Sequence, residues 1–208
     1  MKIKLILLLS LILSACGGSD APQSGKRTSI IESKIILGSG VKVTSAPHQT
    51  HLYDEESFEF NNYSITPLAS IDFEAKVLSK KRYSDDKESQ LSPVDLALGW
   101  QQMSDEKNLA QISISQSNRW YYWHVDNFPI SRNEIESQSA NMHMIPADSA
   151  IKDKLNKIKE GEIISLSGYL VRVDDMNWSW KSSLSRFDTG EGACEVIYIT
   201  DLFLANTN

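Results

Sequence analysis

The clearest structural pattern in the chain lies at residues 148–173, DSAIKDKLNKIKEGEIISLSGYLVRV. Its first half carries apolar residues at helical spacing: Ile151, Leu155 and Ile158. Asp148 is a suitable cap for the start of this helix, and Gly161 follows its end. In its second half apolar or small residues recur at every other position: Ile164, Leu166, Gly168 and Leu170. The stretch therefore predicts one amphipathic helix followed by a half-buried strand.

Strand patterns also lie on both sides of this helix. Period-two alternation or aromatic and β-branched runs predict strands at 58–65 (a hairpin turning at Asn61-Asn62), 71–77, 119–125 and 195–203. Residues 174–177, DDMN, favour a second hairpin. Residues 92–99 begin with Ser-Pro and end with Gly, which predicts a short helix, and residues 104–106 predict the start of another.

These elements predict a mainly β fold with one clear helix, an α+β arrangement of five to seven strands. A small, partly closed antiparallel barrel is a natural way to hide strand edges at this size. The order of elements resembles an OB-fold, in which a helix lies between the third and fourth strands, and this resemblance implies an OB-like barrel. The alternative is a sheet with one helix packed across it.

Composition and charge exclude several classes of protein. The chain has 208 residues, of which 41% are hydrophobic and 23% charged, and these values are typical of a folded domain. Its net charge of -6 argues against nucleic acid as a partner, because phosphate binding needs a basic surface. Two cysteines are too few for a disulfide-stapled scaffold.

The N-terminus has the order of parts found in a bacterial secretory signal. Lys2 and Lys4 precede an apolar run at residues 5–13, which is too short to span a bilayer as a mature helix. Residues 13–17, LSACG, resemble the bacterial lipobox. This resemblance implies that a diacylglyceryl group is attached to Cys16 and that residues 1–15 are a lipoprotein signal peptide. The alternative is an ordinary cleaved signal with a chance cysteine.

The remaining chain is predicted to have three parts. Residues 16–27 form a flexible tether, residues 28–56 an N-terminal extension whose order the sequence leaves open, and residues 57–205 a single β-rich domain. Without the signal peptide the chain keeps 19 basic and 27 acidic residues, a charge of -8, so the domain should stand away from an anionic bilayer. An aspartate after Cys16 would resemble the inner-membrane retention signal of enteric-type bacteria, so the glycine found there implies the periplasmic face of the outer membrane rather than the inner membrane.

Several longer segments together resemble a family of uncharacterised bacterial envelope proteins. These segments are residues 63–79, 91–100, 115–130, 139–148 and 182–196. The resemblance covers residues 57–205 and implies one coherent domain. No activity is established for that family, so the resemblance implies no functional residue.

Aromatic residues provide the first candidate binding site. All five tryptophans lie between residues 100 and 180. Trp120 shares one strand face with Tyr122, and Trp178 shares another with Trp180, so the two faces could form a stacking platform for sugar rings or a peptide. Core packing is the alternative. In the polar stretch 181–195, Arg186 and Asp188 could bind a polar ligand beside these aromatic residues. The alternative is that Arg186 pairs with Asp188 or a neighbouring acid.

A second candidate site contains the thiol that lipidation leaves free. Cys194, His143 and Asn141 could act as nucleophile, base and orienting group, although burial of Cys194 as a small core residue is the alternative. The four histidines show no spacing typical of a metal site, and no glycine-rich phosphate loop is present. We therefore predict no metal and no cofactor.

The sequence is best interpreted as a lipid-anchored bacterial envelope protein. The leading hypothesis is a non-catalytic binding or assembly module for a periplasmic protein or a cell-wall glycan. The alternatives are a thiol-dependent enzyme that uses Cys194 and His143, and a structural component of an envelope complex.

Overall fold

The computed structural model describes residues 40–188, 190 and 193–205. The predicted signal peptide, the tether with Cys16 and the first part of the extension, residues 28–39, lie outside the described residues. No helix in the described ranges is long and apolar enough to cross a membrane.

The described residues form ten strands and three short α-helices. The strands are β1 His48–His51, β2 Phe58–Phe60, β3 Tyr63–Arg82, β4 Val94–Gly99, β5 Ser113–Ser117, β6 Trp120–His124, β7 Ser139–Pro146, β8 Ile163–Asp175, β9 Trp178–Lys181 and β10 Glu195–Leu204. The α-helices are α1 Glu106–Leu109, α2 Arg132–Ser137 and α3 Ser149–Lys157. Short 3₁₀ helices occupy Lys87–Gln90 and Gln101–Ser104.

Five of the strands close into a hydrogen-bonded ring. Around this ring β3 pairs with β4, β4 with β7, β7 with β10, β10 with β8, and β8 again with β3. Numbered in chain order, the ring strands are arranged 1-2-3-5-4, and α3 lies between the third and the fourth. The prediction of a mainly β fold with one clear helix is therefore confirmed.

One pair in the ring differs from the antiparallel arrangement that was predicted. β7 and β10 run parallel, whereas the other four pairs are antiparallel. Parallel neighbours need a long connection, and here α3 and β8 supply it. Alternation within each strand carries no information about the direction of its neighbour, which is why the sequence did not reveal this pair.

The long strand β3 organises the sheet because it uses both of its edges. Along one edge it pairs with β8 from Ser64 to Lys76. Along the other edge it pairs in turn with β2, β1 and β4. Residues 48–51 thus belong to the sheet, and Val43 is buried in the main core, so this part of the extension packs on the domain.

The main hydrophobic core fills the ring and contacts α3. Alternate residues of β3 and β8 that were predicted to face inward are buried in it, together with the three apolar residues of the helix: Ile71, Phe73, Ala75, Val77, Ile164, Leu166, Leu170, Ile151, Leu155 and Ile158. The Asp148 carboxylate accepts a hydrogen bond of 2.8 Å from the Ile151 amide, which confirms the predicted cap. A helix face buried in this way gains most of its stability from tertiary packing.

Both predicted hairpins are also present. Asn61 and Asn62 have φ angles of 49° and 66°, which two-residue turns of this kind require and which asparagine tolerates well. Met176 and Asn177 connect β8 to β9. The predicted strand at 119–125 exists as β6, but it pairs with β5 in a separate two-stranded sheet.

The helix predicted at residues 92–99 is wrong, because Val94–Gly99 forms strand β4. All six residues of β4 are buried, so the strand lacks the alternation of apolar and polar residues that would have identified it. One face, with Leu96, lies in the main core, and Asp95 on the opposite face contacts the hairpin β5–β6. A serine and a proline before an apolar run are equally compatible with the start of such a strand.

Gly168 lies where β8 passes between β3 and β10, and a larger residue there should weaken the ring. A Cβ atom at this position would lie 2.2 Å from the Tyr198 carbonyl oxygen, so Gly168→Ala should lower the free energy of unfolding by about 1–3 kcal/mol. Urea unfolding measures the change. Ser165→Ala on the same strand is the matched control, with an expected change within about 0.5 kcal/mol. Equal stability of the two variants would contradict the close approach.

Candidate functional site

The tip of the hairpin β5–β6 has an unusual backbone. Asn118 and Arg119 have φ angles of 50° and 67°. Asparagine adopts this region readily, whereas an arginine there costs about 1–2 kcal/mol. Contacts of the Arg119 side chain with the ring offset this strain.

Arg119 connects the hairpin to two acidic residues, Asp95 on strand β4 and Asp86 in the loop before it. Its Nε and Nη2 donate to the two carboxylate oxygens of Asp86 at 2.8 and 2.7 Å, and its Nη1 donates to Asp95 Oδ1 at 2.7 Å. The guanidinium also lies 3.9 Å from the centroid of the Tyr83 ring. Its hydrogen bonds lower the pKa of Asp86. Because Asp95 is completely buried, Arg119 is the cation that allows this carboxylate to remain in the interior.

His143 lies on the other side of Asp95. Its Nδ1 is 2.9 Å from Asp95 Oδ2, within ion-pair distance, and neither of these two buried atoms has a hydrogen-bond partner among the described residues. Its ring packs against Trp180 with centroids 4.7 Å apart. His143 is therefore in close contact with a buried carboxylate and an indole.

A cavity of about 210 Å³ lies between the hairpin, β7 and the polar loop that follows β9. Five residues that the sequence singled out line it together: Trp120, Asn141, Arg186, Asp188 and Cys194. Tyr122, Trp178, Trp180 and His143 do not line it. The aromatic platform and the thiol site were predicted as two separate sites. In the structure Trp120 of the first and Asn141 and Cys194 of the second line the same cavity.

A second cavity of about 240 Å³ adjoins the first. Trp120 and Cys194 line both cavities, and His143 and Trp180 line only the second. The indole of Trp120 is 37% exposed, so it presents an accessible ring at the boundary between them.

The other predicted aromatic residues have different roles. Trp178 and Trp180 are half-buried against a second core cluster, with ring centroids 5.8 Å apart. Tyr63 lies edge-on to Trp178, and the Lys87 ammonium is 4.9 Å from the centroid of the same indole. Tyr122 is 48% exposed and lines a separate depression on the hairpin. These contacts favour core packing for Trp178 and Trp180.

Glu195 lines the first cavity and is almost completely buried. One carboxylate oxygen accepts from Arg186, whose Nη2 also donates to Gln49 Oε1 at 2.6 Å. The other oxygen, Oε2, is buried and has no hydrogen-bond partner among the described residues. Burial raises the pKa of Glu195 to about 8, although the charge of Arg186 acts in the opposite direction.

Sequence reasoning missed Glu195 and Arg119. Glu195 begins an apolar strand where a charge is out of place, and Arg119 follows an asparagine at a tight turn. Both features are visible in the sequence, but neither indicates which distant residue would pair with the charge.

The thiol of Cys194 lacks the environment of an activated nucleophile. Burial raises its pKa to about 11, and the neighbouring Glu195 carboxylate adds to the shift. A hydrogen bond with the Asn141 side chain lowers the pKa of Cys194 by a smaller amount. The same amide donates to the Arg119 carbonyl oxygen at 3.0 Å. Catalytic thiols lie in electropositive surroundings that lower the pKa, so this environment disfavours Cys194 as an activated nucleophile.

Known proteins add no further information about this site. Comparisons with protein-family models, with curated proteins and with solved structures found no match to this chain. The resemblance to envelope proteins and the lipobox therefore stay predictions. Within the described ranges no three His, Cys, Asp or Glu side chains are grouped so that they could hold a metal ion.

Arg119→Ala should lower the free energy of unfolding by about 3–5 kcal/mol, because Asp95 would stay buried without its cation. Urea unfolding followed by tryptophan fluorescence measures this loss. The matched control is Arg172→Ala, which removes an exposed pair with Asp174 and should cost less than about 1 kcal/mol. A loss no larger than that of the control would show that Asp95 does not depend on Arg119.

Alkylation of native Cys194 should accelerate continuously from pH 7 to pH 10, because a pKa of about 11 leaves little thiolate over this range. The alkylation rate of the native full-length chain is compared with the alkylation rate of the denatured chain. In the denatured chain the thiol should have its ordinary pKa of about 8.5. The Cys194→Ser variant measures any label on Cys16. Fast native labelling near pH 6 that His143→Ala slows would contradict this expectation and support the thiol enzyme.

Proposed function

We propose that this chain is a lipid-anchored bacterial envelope protein whose domain binds a cell-wall glycan without transforming it. One observation carries the proposal, namely that Trp120 shares a cavity with the polar side chains of Asn141, Arg186 and Asp188. A sugar ring has an apolar face that stacks on an indole and hydroxyl groups that need hydrogen-bond partners. The lipobox resemblance supplies the cellular context.

The size of the cavity favours a sugar over a protein surface. Protein partners typically bury about 800 Å² on each side, on a broad surface. The space of about 210 Å³ lies below the range of about 300–1,000 Å³ that is typical of drug-sized ligands, so it suits a single ring. The adjoining cavity beyond Trp120 provides room for a second unit of an oligosaccharide.

The position of the cavity in the fold supports the same function. OB-folds bind oligosaccharides and oligonucleotides on the face of their second and third strands, between the first and the last connecting loops. In this chain the third of those strands, β7, and the last loop, which follows β9 and carries Arg186 and Asp188, line the cavity, whereas the residues of the second strand, β4, do not. The net charge of -6 disfavours the nucleic acid alternative.

A non-catalytic role is preferred because of the state of the thiol. The raised pKa of Cys194 and the packing of His143 against Trp180 oppose the thiol-dependent alternative. Exposed aromatic residues such as Phe128 are compatible with an additional protein partner. They lie on strands β6, β8 and β10 as well as on loops.

Trp120→Ala should weaken glycan binding at least about tenfold, because stacking and burial on an indole together contribute about 1.4 kcal/mol or more. The probes are purified bacterial sacculi in a sedimentation assay and the N-acetylglucosamine tetramer in a fluorescence titration, both with the full-length chain. Tyr53→Ala removes an aromatic residue that is 82% exposed outside the cavity and is the matched control. Absence of wild-type binding to both probes would overturn the proposal, as would undiminished binding by Trp120→Ala.

A further inference from the structure

The charges in the first cavity are unbalanced. Among the described lining residues the charged side chains are three carboxylates and one guanidinium: Glu136, Asp188, Glu195 and Arg186. Arg186 is committed to Glu195, and Glu136 pairs with Arg132 at 3.0 Å. Asp188 accepts a hydrogen bond of 2.6 Å from the Ser183 hydroxyl and has no cationic partner in the described part of the chain. With Glu195 ionised, the cavity has an excess of negative charge, and a cation bound beside Glu195 would oppose the burial that raises its pKa.

Glu195 contributes an unsatisfied acceptor to the same lining. Its Oε1 is bonded to Arg186, whereas its buried Oε2 finds no donor among the described residues. A buried acceptor without a partner costs about 1–3 kcal/mol. A ligand that brings an N–H group to this oxygen recovers that free energy, and a positively charged donor also forms a stronger, charge-assisted bond.

The opposite wall of the cavity also favours a cation. Trp120, Tyr121 and Trp123 line it from the hairpin side. The face of an aromatic ring attracts an ammonium group by about 0.5–2 kcal/mol, depending on how far the group is removed from water. An anionic ligand would meet the acidic side chains, and a wholly neutral one would leave Glu195 Oε2 without a charged donor.

We propose that the sugar recognised in this cavity carries a free, protonated amino group, which donates to Glu195 and lies near Asp188. The inference rests on the glycan-binding function proposed above and specifies its ligand. It distinguishes a deacetylated amino sugar from its N-acetylated form, in which the nitrogen is a neutral amide.

The test compares two dimers that differ only in this group, the glucosamine dimer and the N-acetylglucosamine dimer. Each is titrated into the full-length chain at pH 7 and about 0.15 M salt, with tryptophan fluorescence and calorimetry as readouts. We expect the amino form to bind at least about tenfold more tightly. Salt at this level screens the general attraction between an acidic protein and a cation.

Glu195→Gln should remove most of this preference, because it keeps the shape of the side chain and removes the carboxyl group that a bound ammonium group would hold in its ionised form. The matched control is Glu59→Gln, an exposed site on β2 outside the cavity lining, which should keep the preference. Thermal unfolding verifies that each variant is folded. Asp188→Asn, at an exposed position, is the second variant if Glu195→Gln does not fold, and it should lower the preference by a smaller factor.

The outcomes separate this inference from the function on which it rests. Equal or tighter binding of the acetylated dimer would overturn the inference and leave glycan binding intact. A preference for the amino form that survives in Glu195→Gln and Asp188→Asn would also overturn it, because the amino group would then be recognised elsewhere. Binding of neither dimer, together with no binding to sacculi, would overturn the glycan-binding function itself.

Discussion

The ion pair between Arg119 and Asp95 is the interaction on which the candidate site depends. Asp95 lies on a fully buried strand of the ring, and its carboxylate is tolerable there because a guanidinium reaches it from a separate hairpin. The same guanidinium fixes the tip of the hairpin in a strained turn, and the next residue, Trp120, is thereby held over the cavity. Without this ion pair the hairpin residues that line the cavity would no longer be held in position.

Much of the fold could be predicted from periodicity, and the failure at β4 has a physical cause. β3 and β8 have buried residues at alternate positions, so a period of two is visible in the sequence. The helix α3 buries one stripe, so its period is visible too. β4 is covered on both faces, by the core and by the hairpin, and no polar face remains to show its period. The parallel pair β7–β10 depends on topology, which periodicity within single strands does not encode.

The candidate site was predictable only in part, because its main contacts are between residues far apart in the chain. Trp120, Arg186 and Asp188 were recognisable from their chemistry and their setting in a strand or a polar loop. The partners that define their roles were not, since Arg119 bonds to a residue 24 positions away and Arg186 to one 137 positions away. Tryptophans 178 and 180 share a strand face as predicted, but a sequence pattern does not reveal that this face is covered by other apolar residues.

The position of β10 in the ring determines when this fold can form. β10 follows every other ring strand in the chain, yet it lies between β7 and β8. A nascent chain that has not yet released residues 195–204 therefore has a gap between these two strands and no continuous core. Contacts between residues so distant in sequence form slowly, because loop closure must precede them. Ring closure consequently cannot precede the release of residues 195–204, and until then β7 and β8 lack the strand that lies between them.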